Sequence, residues 1–175
     1  MMMEEKKFRG DLLIGYYKAV KKFWGVRGLK ECEEYVGIKM DDIKSTKWYP
    51  IEYHSKMHKF LGEKGEQYVT RAARQAIHGL GMLSYLVRFV SIKSLLKKAP
   101  KSYDDTFNFG VVEIDIEENS AIAKLKDVVT TEYTCLAWKG VFQGTLEVTK
   151  TEGTVEIIDH EEKGENDCFF KIEWK

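Results

Sequence analysis

The sequence is short of the residues that separate or staple a chain. It has only two prolines, Pro50 and Pro100, in 175 residues. A Pro-rich linker between independent modules is therefore excluded. It has three cysteines, Cys32, Cys135 and Cys168, an odd and widely spaced set. Small secreted domains use denser, even sets, so buried free thiols in a reducing, cytoplasmic setting are expected. Net charge is absent too: Lys+Arg and Asp+Glu stand at 28 each. A generic nucleic-acid binder carries a basic excess, so that class is set aside. No apolar run reaches the ~20 residues that a membrane helix needs. The opening MMMEEKKFRG has no apolar stretch behind its charges, and a secretory signal is not expected either.

What is there suffices for a packed core: 43% of the residues are hydrophobic and 32% charged. The neutral total hides a split. Residues 1–100 hold 20 Lys/Arg against 11 Asp/Glu, and residues 101–175 hold 8 against 17. The texture changes at the same place, near KKAPKSYDD, from Lys-rich helical patterning to alternating apolar and acidic stretches. Two subdomains, 1–100 and 101–175, are expected to close into one compact domain. Solvated faces are the expected outcome of this split, with docking of the halves or head-to-tail association through opposite charge as the alternative.

The first part reads as helices. Apolar pairs recur at helical spacing over Asp11–Trp24, with Asp11 as N-cap and Gly25 as stop. A short helix over Leu29–Val36 ends at Gly37, and Lys39–Tyr49 is polar enough for a loop. Pro50 opens a helix over Ile51–Leu61, and Glu66–His78 forms another. Met82–Val90 is almost wholly apolar and predicts a buried helix. Ser91–Lys98 continues or restarts it and closes on Lys97 and Lys98.

The second part reads strand, strand, helix, strand, strand. Phe107–Ile116 alternates, with a phase slip at Val111–Val112 that suggests a bulge. Ala121–Val129 pairs with it across Glu118-Asn119. Tyr133–Val148 carries an imperfect helical stripe interrupted by Gly140 and Gly144. Thr154–Ile158 and Cys168–Trp174 close a hairpin around the acidic tip HEEKGEND. The expected fold is α+β: an N-terminal helical bundle packed on a C-terminal four-stranded antiparallel sheet with one long helix, ββαββ.

Catalytic constellations are missing. GxxxxGK[ST], HExxH, GxSxG and CxxC do not occur, so no catalytic residue is assigned. GLGMLSYL follows a helix rather than a strand and is no dinucleotide loop. His54 and His58, four apart, share a helix face and can bind metal as a pair. Without a third ligand in phase they read as a solvated face. His78 reads as a helix-end dipole contact, and Trp48, Tyr49 and Trp138 as core or interface anchors.

WKGVFQGTLEV, GTVEIIDHEEKG and DCFFKIEW, together with KWYPIEYHSKM, carry a resemblance. The chain resembles the ligand-binding superfamily that joins vinyl-4-reductase domains, haem-nitric-oxide-binding domains and TRAPP subunits. The resemblance implies a cavity between the helical bundle and the sheet half. Ala72 and Ala76 would leave room in it, and Tyr85, Leu86 and Phe89 would form its floor. Arg88 or Tyr85 would give a polar contact, and Leu136 and Trp138 the far wall. An apolar small molecule would fill such a space.

Haem-binding relatives hold iron through a His in the helix before the sheet and grip the propionates with Tyr-x-Ser-x-Arg. Here SIKSLLKKAPKSYDD lacks a His, and Tyr133-Thr134-Cys135 lacks the Ser and the Arg. Haem at that site is not expected, and no other cofactor is. Similarity to zinc-bearing vinyl-4-reductase domains would draw Glu113, Cys135, His160 and Cys168 together, an imidazole replacing one thiolate. The expectation is a non-enzymatic small-molecule-binding or sensory domain, working as a homodimer. The alternatives are a dimeric interaction scaffold without ligand, and a zinc-containing domain.

Overall fold

The computed structural model describes residues 3–78 and 90–175. The helix expected over Met82–Val90 lies outside them except for Val90.

β1 (Lys7–Arg9) runs straight into α1 (Gly10–Val36). Arg9 is the N-cap, and Asp11 falls in the first turn, where its charge faces the positive end of the helix. The helix breaks at Gly25, whose φ of 69° and ψ of −165° suit only glycine. The two helices read from sequence are thus two arms of one kinked element. Gly37 closes it in the left-handed region, its N–H donating to the Glu33 carbonyl at 2.9 Å.

The loop expected over Lys39–Tyr49 is more ordered than its polarity suggests. A single 3-10 turn (Met40–Asp42) precedes β2 (Trp48–Pro50), and β2 pairs antiparallel with β1, Phe8 opposite Tyr49. Three-residue strands carry too little alternation to be read. α2 (Ile51–Lys64) and α3 (Glu66–His78) follow. α4 (Ile92–Asp104) is capped by Ser91, whose Oγ accepts from the Ser94 N–H at 3.2 Å. It runs through Pro100 instead of ending at Lys98. The missing proline N–H removes one bond, while Tyr103 in the last turn is buried and anchors the extension.

β3 (Val111–Ile116) starts later than expected. Gly110 sits at φ 74°, and a Cβ there would meet the Tyr103 hydroxyl at 2.7 Å. The phase slip therefore marks a glycine turn ahead of the strand, not a bulge within it. Phe107, on the near side, bridges back to Phe8 of β1. β4 (Ser120–Lys126), α5 (Thr134–Val148), β5 (Gly153–Ile158) and β6 (Cys168–Trp174) complete the chain. The four strands lie in the order β3-β4-β6-β5, every neighbour antiparallel. The α+β, ββαββ architecture is as expected. Ala121, Ala123 and Leu125 of β4 and Phe170, Ile172 and Trp174 of β6 are buried.

The halves join most tightly where α5 crosses α3. A Cβ on Gly140 would overlap the Thr70 carbonyl, and one on Gly144 would lie 3.0 Å from the Arg74 carbonyl. Both glycines let the helices touch backbone to backbone. No described helix is long and apolar enough to cross a membrane.

Candidate functional site

α2 is the element whose sequence and surroundings diverge most. Ile51, His54, Met57, His58 and Leu61 form one stripe at helical spacing, and all five are buried. The two histidines are therefore not a solvated face: His54 is 6% exposed and His58 1%. The sign was in the sequence, because both imidazoles fall in phase with Ile51 and Leu61.

Their surroundings come from both halves of the chain. The His54 and His58 ring centres lie 4.1 Å apart. Tyr16 Oη from α1 is 3.2 Å from His58 Nε2, and Thr131 Oγ1 from the β4–α5 loop is 3.5 Å from His58 Nδ1. A neutral imidazole donates from one nitrogen and accepts at the other, so His58 is satisfied on both sides. Thr131 is itself held, its hydroxyl oxygen accepting from the Tyr133 N–H at 3.2 Å. Burial holds His58 down to about 3. Burial, with the neighbouring His58, holds His54 well below the usual imidazole range. Both rings are thus neutral near pH 7.

His54 differs in one respect. It is ringed by Phe8, Tyr16 and Phe107, with centroids 5.3, 5.6 and 5.8 Å away. Its Nδ1 is buried and, among the described residues, has no hydrogen-bond partner. Orphaned buried nitrogens are rare, because each forfeits its hydration. From Phe107 an aromatic column continues into the sheet half. Tyr103 stacks on Phe107 at 4.8 Å, Trp138 lies 5.5 Å from Tyr103, and Phe142 links Trp138 to Phe170 of β6.

The structure locates the residues expected to line a cavity as follows. Trp138 stands in this column, one aromatic ring from His54 by way of Phe107. Leu136 is half-buried beside it in chain, its carbonyl accepting from the Thr70 hydroxyl at 3.3 Å. Ala72 and Ala76 are buried on α3. Ala76 faces α1, where a Cβ on Gly15 would lie 3.3 Å from its own Cβ. Helix backbones approach that alanine closely. Tyr85, Leu86, Arg88 and Phe89 fall outside the described residues.

The four zinc candidates do not assemble. Cys135 and Cys168 form a disulfide that joins the start of α5 to the start of β6. Glu113 pairs with Lys126 at 3.2 Å, and exposed His160 accepts from the Glu162 N–H. Among the described residues, no three His, Cys, Asp or Glu side chains converge. Of the thiols expected to be free, Cys32 alone is so, buried 3.6 Å from the Met57 sulfur. His78 stands in the last turn of α3, and its Nε2 also lies 2.6 Å from Glu147 of α5.

An α+β unit of this layout, with a helical half closing on a four-stranded antiparallel sheet, defines a known class of fold. No family model matches the chain, and no curated protein does. Solved structures do. An oxygen-binding H-NOX domain related to soluble guanylate cyclases, in its oxygen complex, superposes with a TM-score of 0.73 at 13% identity over 95% of each chain. An H-NOX protein from S. oneidensis in the Fe(II)NO ligation state gives 0.73 at 13% identity, over 95% of this chain and 99% of its own. A Tt H-NOX protein carrying a single substitution gives 0.74 at 15% over 95% of both.

The chain has the H-NOX fold, the haem-nitric-oxide-binding part of the resemblance. That corrects the expectation against haem. The fold is one in which an Fe(II)NO centre and heme distortion have been studied in solved structures. A missing His in one helix was too local a criterion, since an imidazole can reach the seam from another helix, as His54 does from α2.

Proposed function

We propose that this protein is a sensory domain that binds a small molecule at the seam between its helical and sheet halves. The observation that carries the reading is the buried, neutral His54 with its unpartnered Nδ1, set among Phe8, Tyr16 and Phe107 in an H-NOX fold. Such a nitrogen is a ligand in waiting, because a neutral imidazole carries one free lone pair and needs no net loss of a proton to bind.

The donor chemistry suits haem iron: His54 would be the residue to hold the metal, with Phe8, Tyr16 and Phe107 around it. When bound, the group would supply an iron that takes up a diatomic gas. The chain's own part is independent of the ligand's identity. His58, tied to Tyr16 and Thr131, fixes the orientation of α2. The aromatic rings exclude water. Trp138 connects the seam to α5, so that filling the seam shifts α5 against the helical half. Output then passes by altered contact with a partner or a second copy of the chain. No catalytic step is required, and Ala72, Ala76, Tyr85, Leu86, Arg88, Phe89, Leu136 and Trp138 retain their proposed role as lining.

The test is titration of the purified protein with haemin and, separately, with a panel of apolar metabolites. A Soret shift in the wild type, absent in His54→Ala with its fold intact by circular dichroism, supports His54 as the residue that would hold the iron. A raised melting midpoint with a non-haem compound supports the sensory reading with a different ligand. No response to either overturns it.

A further inference from the structure

A concavity lies where α1, α3 and α5 meet. Lys22 and Phe23 of α1, Arg71, Arg74 and Gln75 of α3, and Glu147 of α5 line a cleft of about 420 Å³. It shares no residue with the His54 seam and does not depend on that reading.

Its charges are unbalanced. Three cations line it against one carboxylate. Glu147 is engaged by the Arg74 guanidinium and by His78 Nε2. Among the described residues, Lys22 Nζ reaches a neutral partner, donating to Gln75 Oε1 at 3.0 Å. Arg71 is held by stacking: its guanidinium carbon lies 4.8 Å from the Phe23 ring centre and 5.3 Å from that of Tyr68. Neither Lys22 nor Arg71 meets a carboxylate among the described residues, and residues 79–89, GLGMLSYLVRF, contain none to offer. Stacking fixes the guanidinium face and leaves its N–H edge free to donate.

We infer that this cleft binds a small, soluble phosphate monoester. Such a group carries nearly two negative charges at neutral pH, which matches the two-charge excess of the lining. Arg edges recognise its oxygens through paired hydrogen bonds. Phe23 offers an apolar wall, and the volume exceeds what bare phosphate would need. Glu147 already occupies Arg74 as an internal anion and competes with the ligand.

Calorimetric titration of the full chain with phenyl phosphate, a dianion carrying a ring, tests this. Phenyl sulfate, phenol and phosphatidylglycerol vesicles serve as comparison arms. Saturable binding of phenyl phosphate, weaker binding of the singly charged sulfate and none of phenol are expected. Arg71→Ala should weaken binding about ten-fold, as loss of a charge-assisted bond does. Lys22→Ala gives an independent check on an exposed residue, with a smaller loss. Glu147→Gln should tighten binding about three-fold by freeing Arg74. His54→Ala should leave it unchanged. Absence of saturable binding, wild-type affinity in both cation variants, or binding to vesicles alone would overturn the inference.

Discussion

The two halves of the molecule meet along one boundary in two different ways. At the α3–α5 crossing they touch backbone to backbone, through Gly140 and Gly144 against Thr70 and Arg74. At α2 they meet through side chains: two imidazoles, Tyr16, Phe107 and Thr131. At Gly140 and Gly144 the first contact sets backbone against backbone, with Arg74 and His78 joined to Glu147 alongside, and it holds the halves in register. The second is built from rings and one unpartnered nitrogen, groups that can repack around a guest. On the proposed reading, a boundary fixed at one end and adaptable at the other would convert occupancy into a small rotation.

The sharpest way to break the contrast is acid. In the unfolded chain both imidazoles titrate near 6.5, whereas burial holds them lower in the fold, His58 at about 3. Their neutral burial is free of penalty above pH 6.5. As pH falls from 6.5 toward 3, the unfolded chain takes up protons that the folded chain refuses. Stability should fall by up to ~1.4 kcal/mol per pH unit for each imidazole. Urea midpoints at pH 7, 6, 5 and 4 check this, and His54→Phe should flatten the slope.

Gly140→Ala probes the fixed end. Its Cβ runs into backbone, which cannot rotate away, so a loss of ~3 kcal/mol is expected in urea unfolding. A comparable side-chain change at the adaptable end, Trp138→Phe, should cost less.

Reducing the Cys135–Cys168 bond releases α5 from β6 across a sequence separation of 33 residues. A loss of about 2–4 kcal/mol is expected from the larger freedom of the unfolded chain. Melting with and without reductant measures it, with Cys135→Ser as reference.

The smallest effect belongs to neither contact. Lys101–Asp105 is an exposed pair at 3.4 Å. Asp105→Ala should change stability by no more than about 0.5 kcal/mol.

Long periodic elements were legible in the sequence. Glu66–His78 and Cys168–Trp174 appear with the same ends in pattern and structure, because one face of each is buried and the period shows it. Elements set by distant partners were not. β1 and β2 are three residues each and exist by pairing with each other. α4 passes Pro100 because Tyr103 has a place to pack. The His54–His58 pair was misread from polarity, although its phase with Ile51 and Leu61 was available. The disulfide partners and the orphaned nitrogen depend on which loops meet which helices, and chain spacing does not encode that.

The sequence by itself determined the division into a basic helical part and an acidic strand-rich part, the ββαββ order, and the glycines that permit close crossing. These follow from local propensity and from hydrophobic period. Only the tertiary structure decided that two histidines are buried and neutral, that His54 Nδ1 goes without a partner among the described residues, and that three cations share a cleft. Burial and desolvation are properties of assembled surroundings, so the charge state of an imidazole is not defined until the other half of the chain has closed over it.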